Sequence, residues 1–346
     1  MDYGLFFLMQ RDDEWSEQAV YDSGLEQMLA AEPLGYHSVW IAEHHFNDYG
    51  LCPAPPVLAA YVAARTRALR LGMGVSLLPL HHPVDLAEQL AVLDVVSGGR
   101  LDVGIGRGGT LQDYQTFQSD RGDSRPRVEE GLALMRECWT GRPFDFQGRF
   151  HSADRLHARP APAQKPHPPL FMAANSEDSV RSAARLGLPT LSSFFVPVPE
   201  LQRRQQVYRE EARVAGHTAS AIEDCERRSW GMRVVYVAPS HGDAVQESEG
   251  PFMRYQGRMA RLRSSDTGGS IADSFDRSLV RLRPYREYLD TGLAHIGTPS
   301  QVRKSLSEYV DATGYQRVLL LMALPGLATD LALRSMRLFA EGHHVG

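Results

Sequence analysis

Three cysteines in 346 residues, Cys52, Cys138 and Cys225, are too few and too far apart for a disulfide framework or a metal-ligand spacing. A reducing, cytoplasmic compartment is the expectation. No stretch approaches the ~18 apolar residues of a membrane span, so no membrane association is expected. The opening MDYGLFFLMQRDDEW lacks a basic leader region and reads as a buried strand rather than a signal peptide. No block of Lys and Arg stands out, and the net charge of −5 is dispersed. Nucleic acid is therefore not an expected partner, since phosphate backbones need clustered cations. The first strand-to-helix turn has no glycine cluster, which removes the usual dinucleotide fingerprint. No His-x-His ends the first strand, so a binuclear metal hydrolase lacks its opening, and no metal is expected.

What the chain does have is alternation. Short apolar runs at 3–9, 38–42, 71–78, 101–105, 170–174, 190–195, 233–238 and 317–323 read as strands. Helical periodicity separates most of them, at 17–34, 54–68, 84–96, about 125–139, 177–186 and 199–215, and closes the chain at 331–340. Eight strands with intervening helices predict a single (β/α)8 TIM barrel, 1–346, with insertions. Residues 140–169 show no clear period and form one insertion. Residues 243–297 are a long excursion before the last strand, and the small polar run SSDTGGSI at 264–271 reads as a mobile lid.

Barrel chemistry gathers where strands end. Those positions hold Glu43, His44 and His45; Gly74, Val75 and Ser76; Arg107, Gly108 and Gly109; Asn175, Ser176 and Ser179; and Ser192 and Ser193. The turn Gly104-Ile-Gly-Arg-Gly-Gly109 offers backbone approach and an arginine fork suited to phosphate, or is simply a tight turn. Asn175–Ser179 opens a helix, where free N–H groups receive anions, or is simply an N-cap. Glu43-His44-His45 reads as a general base with an orienting carboxylate, as metal ligands, or as hydrogen-bonded structural histidines. The pair His81-His82 reads as structural or interfacial.

AEHHF at 42–46, LLPLHHPVDLAEQLAVLD at 77–94, SGGRLDVGIGRG at 97–108 and GTP at 297–299 occur in an order that resembles the luciferase-like flavin monooxygenases, closest to the luciferase α-chain branch. That resemblance implies a barrel binding reduced FMN at its C-terminal face. It assigns His44 as catalytic base, and Arg107, Ser176 and Ser179 as phosphate contacts. Glu43, Asn175, Gly109, Ser192 and Ser193 join the flavin site, and Gly74-Val75 forms a bulge under the flavin ring, often with a cis peptide. It further implies FMNH2 from a separate flavin reductase and O2 activation through a C4a-peroxyflavin, with oxygenation of a small organic substrate as the result. A homodimer through the second and third helices is also implied, although their alanines could equally pack within the chain. Reduction with the deazaflavin F420 and a non-catalytic partner subunit like the luciferase β chain are the alternatives. Three positions depart from luciferase α chains: Gly106 replaces a reactive cysteine, Asn175 an acidic residue and Phe194 a tryptophan. They argue against light emission from a long-chain aldehyde.

Overall fold

The computed structural model describes residues 1–108, 110–264 and 282–343. Eleven strands are present among them: β1 (Asp2–Phe7), β2 (Ser38–Ile41), β3 (Arg70–Leu77), β4 (Leu101–Gly106), β5 (Phe144–Gln147), β6 (Ser152–Leu156), β7 (Leu170–Ala173), β8 (Thr190–Leu191), β9 (Gly231–Val237), β10 (Ala294–Gly297) and β11 (Arg317–Leu321). Nine form one parallel sheet in the order β10-β9-β11-β1-β2-β3-β4-β7-β8. The free edge of β8 reaches β9 through a Leu191–Trp230 bridge. Trp230 donates its N–H to Thr190 and accepts from the Ser192 N–H. Eight strands thus complete the ring of a TIM barrel, and β10 flanks β9 as an extra strand.

Parallel strands covered by helices are buried on both faces, and β2, β4 and β9 are buried at every position and mostly apolar, with Ser38, Asp102 and Arg233 the polar exceptions. Trp40, Phe171 and Trp230 fill the barrel interior with edge-to-face contacts at 5.3 and 5.8 Å. Gly72 makes this possible: a Cβ there would lie 2.0 Å from the Trp40 ring. The outer helices begin with local signals the sequence carries. Pro55, Pro83 and Pro299 occupy first positions, and Ser16, Ser176, Thr218 and Thr298 cap N-termini with their hydroxyls.

Several expectations need correction. The strand expected over 190–195 spans only Thr190–Leu191, because Ser192 onward turns out to line the barrel mouth. The insertion 140–169 is not structureless: β5 and β6 pair as an antiparallel hairpin, with the Glu130 carboxylate accepting N–H bonds from Arg149, Phe150 and His151 in its turn. Much of the excursion 243–297 is regular, comprising the helix His241–Ser264, the short helix Tyr285–Asp290 and β10. Helices Leu111–Thr116 and Ala219–Arg228 were also not expected. Beyond Ser264, the lid expected at 264–271 lies outside the described residues, as does Gly109. Among the described residues, no helix is long and apolar enough to cross a membrane.

Candidate active site

A cavity of about 250 Å3 opens at the C-terminal ends of the strands. Of the residues expected to form the site, Glu43, His44, Gly74, Val75, Arg107, Asn175, Ser179, Ser192 and Ser193 all line it. Ser176 stands one step back. It is the N-cap of the helix Glu177–Arg185, and its hydroxyl accepts from the Ser179 N–H while the Ser179 hydroxyl accepts from the Ser176 N–H. The N-cap reading of this stretch is therefore correct, and it presents Ser179 to the cavity.

Glu43 is the most constrained group. Only 3% exposed, its Oε1 accepts from His45 Nε2 (3.0 Å) and His81 Nε2 (2.7 Å), and its Oε2 from the Leu77 N–H (3.1 Å). Burial pushes its pKa up, but the hydrogen bonds from His45 and His81, the His81 charge and the Leu77 N–H outweigh it, leaving Glu43 below the ordinary carboxylate value. His81 responds in the opposite sense. Burial lowers its pKa, but the Glu43 bond and charge dominate and raise it above 6.5. The sequence had set His81 aside as structural or interfacial; its place on the Glu43 carboxylate makes it part of the site's support.

His44 sits between these anchors. Its backbone N–H donates to the Cys52 carbonyl, its ring meets Tyr49 edge-on at 4.8 Å, and a Cβ on Gly50 would fall 2.6 Å from it. Among the described residues its ring nitrogens have no hydrogen-bond partner. Burial depresses its pKa to about 4, with Glu43 raising and His45 lowering it in smaller measure. The imidazole is neutral at pH 7 and faces the cavity. In that state one ring nitrogen is free to accept a proton, but at a pKa near 4 it holds one only weakly at pH 7.

At the other end stands Arg107. Its guanidinium makes no ion pair among the described residues. Burial and the charges of Arg125 and Arg121 lower its pKa, partly opposed by Tyr114 and Asp178. Arg125 also lines the cavity, ion-paired with Asp178. Arg125 escaped the sequence analysis because it lies inside a helix, Ser124–Cys138, rather than at a strand end. The Asn175 amide has no partner among the described residues. Uncompensated arginine charge, a free amide, a hydroxyl and a helix N-terminus together suit a phosphate dianion. Asp113 was likewise not anticipated. It is buried, lines the cavity, and burial raises its pKa despite the Thr110 hydrogen bond and the His45 charge. Among the described residues, no three His, Cys, Asp or Glu side chains are grouped to hold a metal.

Between the two ends lies Val75. The Gly74–Val75 peptide is cis, and the β3–β4 register shifts between Met73 and Ser76, forming the expected bulge. Gly106 serves this side chain: a Cβ there would lie 2.4 Å from a Val75 methyl carbon, whereas one on Gly104 would first meet the Met73 carbonyl at 2.4 Å, with Leu191 and Val75 at 2.8 and 2.9 Å. Gly106 and Val75 are therefore one packing decision.

This barrel, with its anion end and its histidine end, is the architecture of the luciferase-like monooxygenases, whose family model matches residues 1–316. The chain belongs to that family and is an oxidoreductase of the flavin-dependent monooxygenase kind. It is 30% identical over 324 residues to the oxygenase component of a flavin-dependent trigonelline monooxygenase from Acinetobacter baylyi, covering 91% of this chain and 87% of that one. It is 25% identical to an alkanal monooxygenase alpha chain of Photorhabdus luminescens, over 98% and 95% of the two chains. The FMN-bound oxygenating constituent of 3,6-diketocamphane monooxygenase from Pseudomonas putida superposes with a TM-score of 0.83, at 24% identity and 99% and 98% coverage, which bears on the fold.

Two outcomes test this geometry. Gly106→Ala is expected to destabilise the protein by ~1–3 kcal/mol through overpacking, and Val75→Ala in the same chain to recover most of the loss, read as a double-mutant cycle in urea melts. In Glu43→Gln, His81 loses the charge of its nearest partner, and Asp85 is left as the charge that opposes burial. Its NMR titration midpoint is therefore expected to fall from above 6.5 to below it. The raised folded pKa of His81 contributes stability that is complete below 6.5 and lost as pH rises through the folded midpoint. That loss is expected in the native protein and absent in Glu43→Gln.

Proposed function

We propose that this chain is the oxygenase component of a two-component system, binding reduced FMN and oxygenating a small organic substrate with O2. One observation carries the reading: a single cavity holds an unpaired guanidinium, Arg107, at one end and a neutral, unbonded imidazole, His44, at the other, with Val75 between them. Arg107, Asn175, Ser176 and Ser179 would hold the FMN phosphate, with Arg125 reinforcing the charge. Val75, on its bulge with Gly74, would support the flavin ring, and Ser192 and Ser193 would meet its polar edge. Glu43 would stand beside the ring and fix the backbone around it. Gly109 would complete the phosphate turn.

Bound reduced FMN supplies the activation of oxygen, a chemistry no side chain here can provide. The protein's share is positional and electrostatic. His44 would move a proton at the ring nitrogen that faces the cavity, and the aromatic wall would exclude water. Without a nicotinamide fingerprint, the flavin must arrive already reduced, so a separate flavin reductase is the expected partner.

Pairing of two copies is part of the proposal. Helices Pro55–Ala63 and Pro83–Val96 expose Val57 (72%), Tyr61, Val92, Val95 and Val96 (63%), more apolar surface than a solvated face carries.

Anaerobic titration with FMNH2 should saturate a single site. Arg107→Met is expected to weaken it by about tenfold to a hundredfold. His44→Ala should leave that affinity within about threefold while cutting oxygenation at least about a hundredfold. Unchanged FMNH2 affinity in Arg107→Met would overturn the phosphate assignment, and unchanged turnover in His44→Ala the proton role. For the pair, Val57→Asp with Val92→Asp is expected to convert a dimer to a monomer in sedimentation velocity. A wild-type monomer at micromolar concentration would overturn the pairing.

A further inference from the structure

The charges around the cavity are divided unevenly. The charged side chains on its described wall are Glu43, Arg107, Asp113, Arg125 and Asp178, and every one follows β2, β4 or β7. Glu43 has both oxygens occupied by donors, and Asp178 is paired with Arg125. The opposite wall is built from β1, the ends of β8 and β9 and the helix His241–Ser264. It presents Phe6, Phe194, Met232, Tyr255 and Met259, and no charge among the described residues.

These residues belong to a continuous arc of rings. From His44 it runs through Tyr49 (4.8 Å) to Tyr255 (6.1 Å), on to Phe195 (5.7 Å) and Phe194 (6.4 Å), and ends at Phe6 (5.2 Å). The arc is fixed from behind. Phe195 packs on Phe252 and Tyr288 at 6.1 and 5.7 Å, and the buried Arg233 donates to the Phe194 and Val196 carbonyls. The helix carrying Tyr255 is clamped across the mouth by Arg254 to Asp12 (2.7 Å) and Arg258 to Asp13 (2.9 Å). Those arginines are turned to the first loop and do not line the cavity.

We infer that the substrate is an uncharged aromatic molecule, lying against this arc with its reacting atom toward His44. The inference rests on the flavin reading, which assigns the charged half of the cavity to the cofactor. An anionic substrate would meet no cation on the arc. A quaternary cation would find ring faces, but no free carboxylate beside them, and ring faces alone are a weak cation site. A flat neutral ring exchanges water for edge and face contacts on every side and leaves no charge unpaired.

The test uses three probes with closely related bicyclic skeletons: 2-acetylnaphthalene, 6-acetyl-2-naphthoate and 6-acetyl-1-methylquinolinium. Each is titrated calorimetrically under anaerobic conditions into the full-length protein with and without saturating FMNH2. The neutral probe is expected to bind at least about tenfold more tightly than either ion. Met259→Lys should raise the affinity of the naphthoate relative to the neutral ketone, while Met259→Leu keeps the original order. Equal or tighter binding of either ion to the native protein overturns the inference, as does failure of all three to bind or an unchanged ranking in Met259→Lys. Because FMNH2 binding is read separately, its absence would strike the flavin proposal, whereas wrong selectivity with FMNH2 bound would strike the substrate class alone.

Discussion

The buried carboxylate of Glu43 ties the mouth of this barrel together. Three donors from three different segments converge on it: His45 from its own loop, the Leu77 N–H from the end of β3 and His81 from beyond the following turn. An ionised group at 3% exposure is tolerable only when its lone pairs are filled. The arrangement therefore fixes the relative positions of the β2 and β3 ends. His44 lies between two residues of this knot, so its ring has little freedom, and Gly50 and Tyr49 remove what is left. Val75 also belongs to the β3 segment that the Leu77 bond holds, so platform and imidazole share one anchor.

From that anchor the cavity divides by charge. The strands on one side of it, β4 and β7, end in an arginine turn and a capped helix. Both are backbone devices for holding an anion, and Arg107, which makes no ion pair among the described residues, adds a cation to them. On the other side, the ends of β1 and β8 and the first residues of β9 give aromatic and thioether side chains, Phe6, Phe194 and Met232, continuous with the barrel interior. The filling that begins with Trp40, Phe171 and Trp230 rises through Phe6, Phe194 and Met232 to the cavity wall. The substrate half is therefore the top layer of the hydrophobic core, left unfilled.

Much of this was legible in the residues. The eight ring strands appear as apolar runs, and most of the site residues fall where those runs stop, because strand ends and barrel mouth coincide in a parallel barrel. What failed to show has physical reasons too. The Ala294–Gly297 strand is a run of AHIG, too short and too weakly patterned to stand out, and it owes its state to pairing with β9. The sixth strand looked longer than it is because Phe194, Phe195 and Val196 are apolar for the sake of the wall, not of the sheet. Arg125 lies in a helix and His81 after a turn, and only the tertiary fold brings them to Arg107 and Glu43. The glycines at 104 and 106 were visible, but their cause was not, since nothing in sequence links Gly104 to the Met73 carbonyl or Gly106 to the valine beside it.

That last coupling bears on the departures from luciferase α chains. With Val75 in place, the space a cysteine at 106 would use is already taken, so Gly106 is forced by its neighbour and not an independent loss. Asn175 removes a negative charge from the anion end, where Asp178 is already paired with Arg125, and so leaves the arginines freer for phosphate. Phe194 packs edge-on against Phe6 and has no indole N–H to satisfy in a wall that offers few acceptors. The first change goes with Val75, the second removes a charge beside the arginines and the third leaves the aromatic wall without an indole N–H. Each acts on a different part of the cavity, and none touches the Glu43 knot that holds His44. A barrel of this kind can therefore exchange its aromatic wall while its charged half and the His44 imidazole stay where the strands put them.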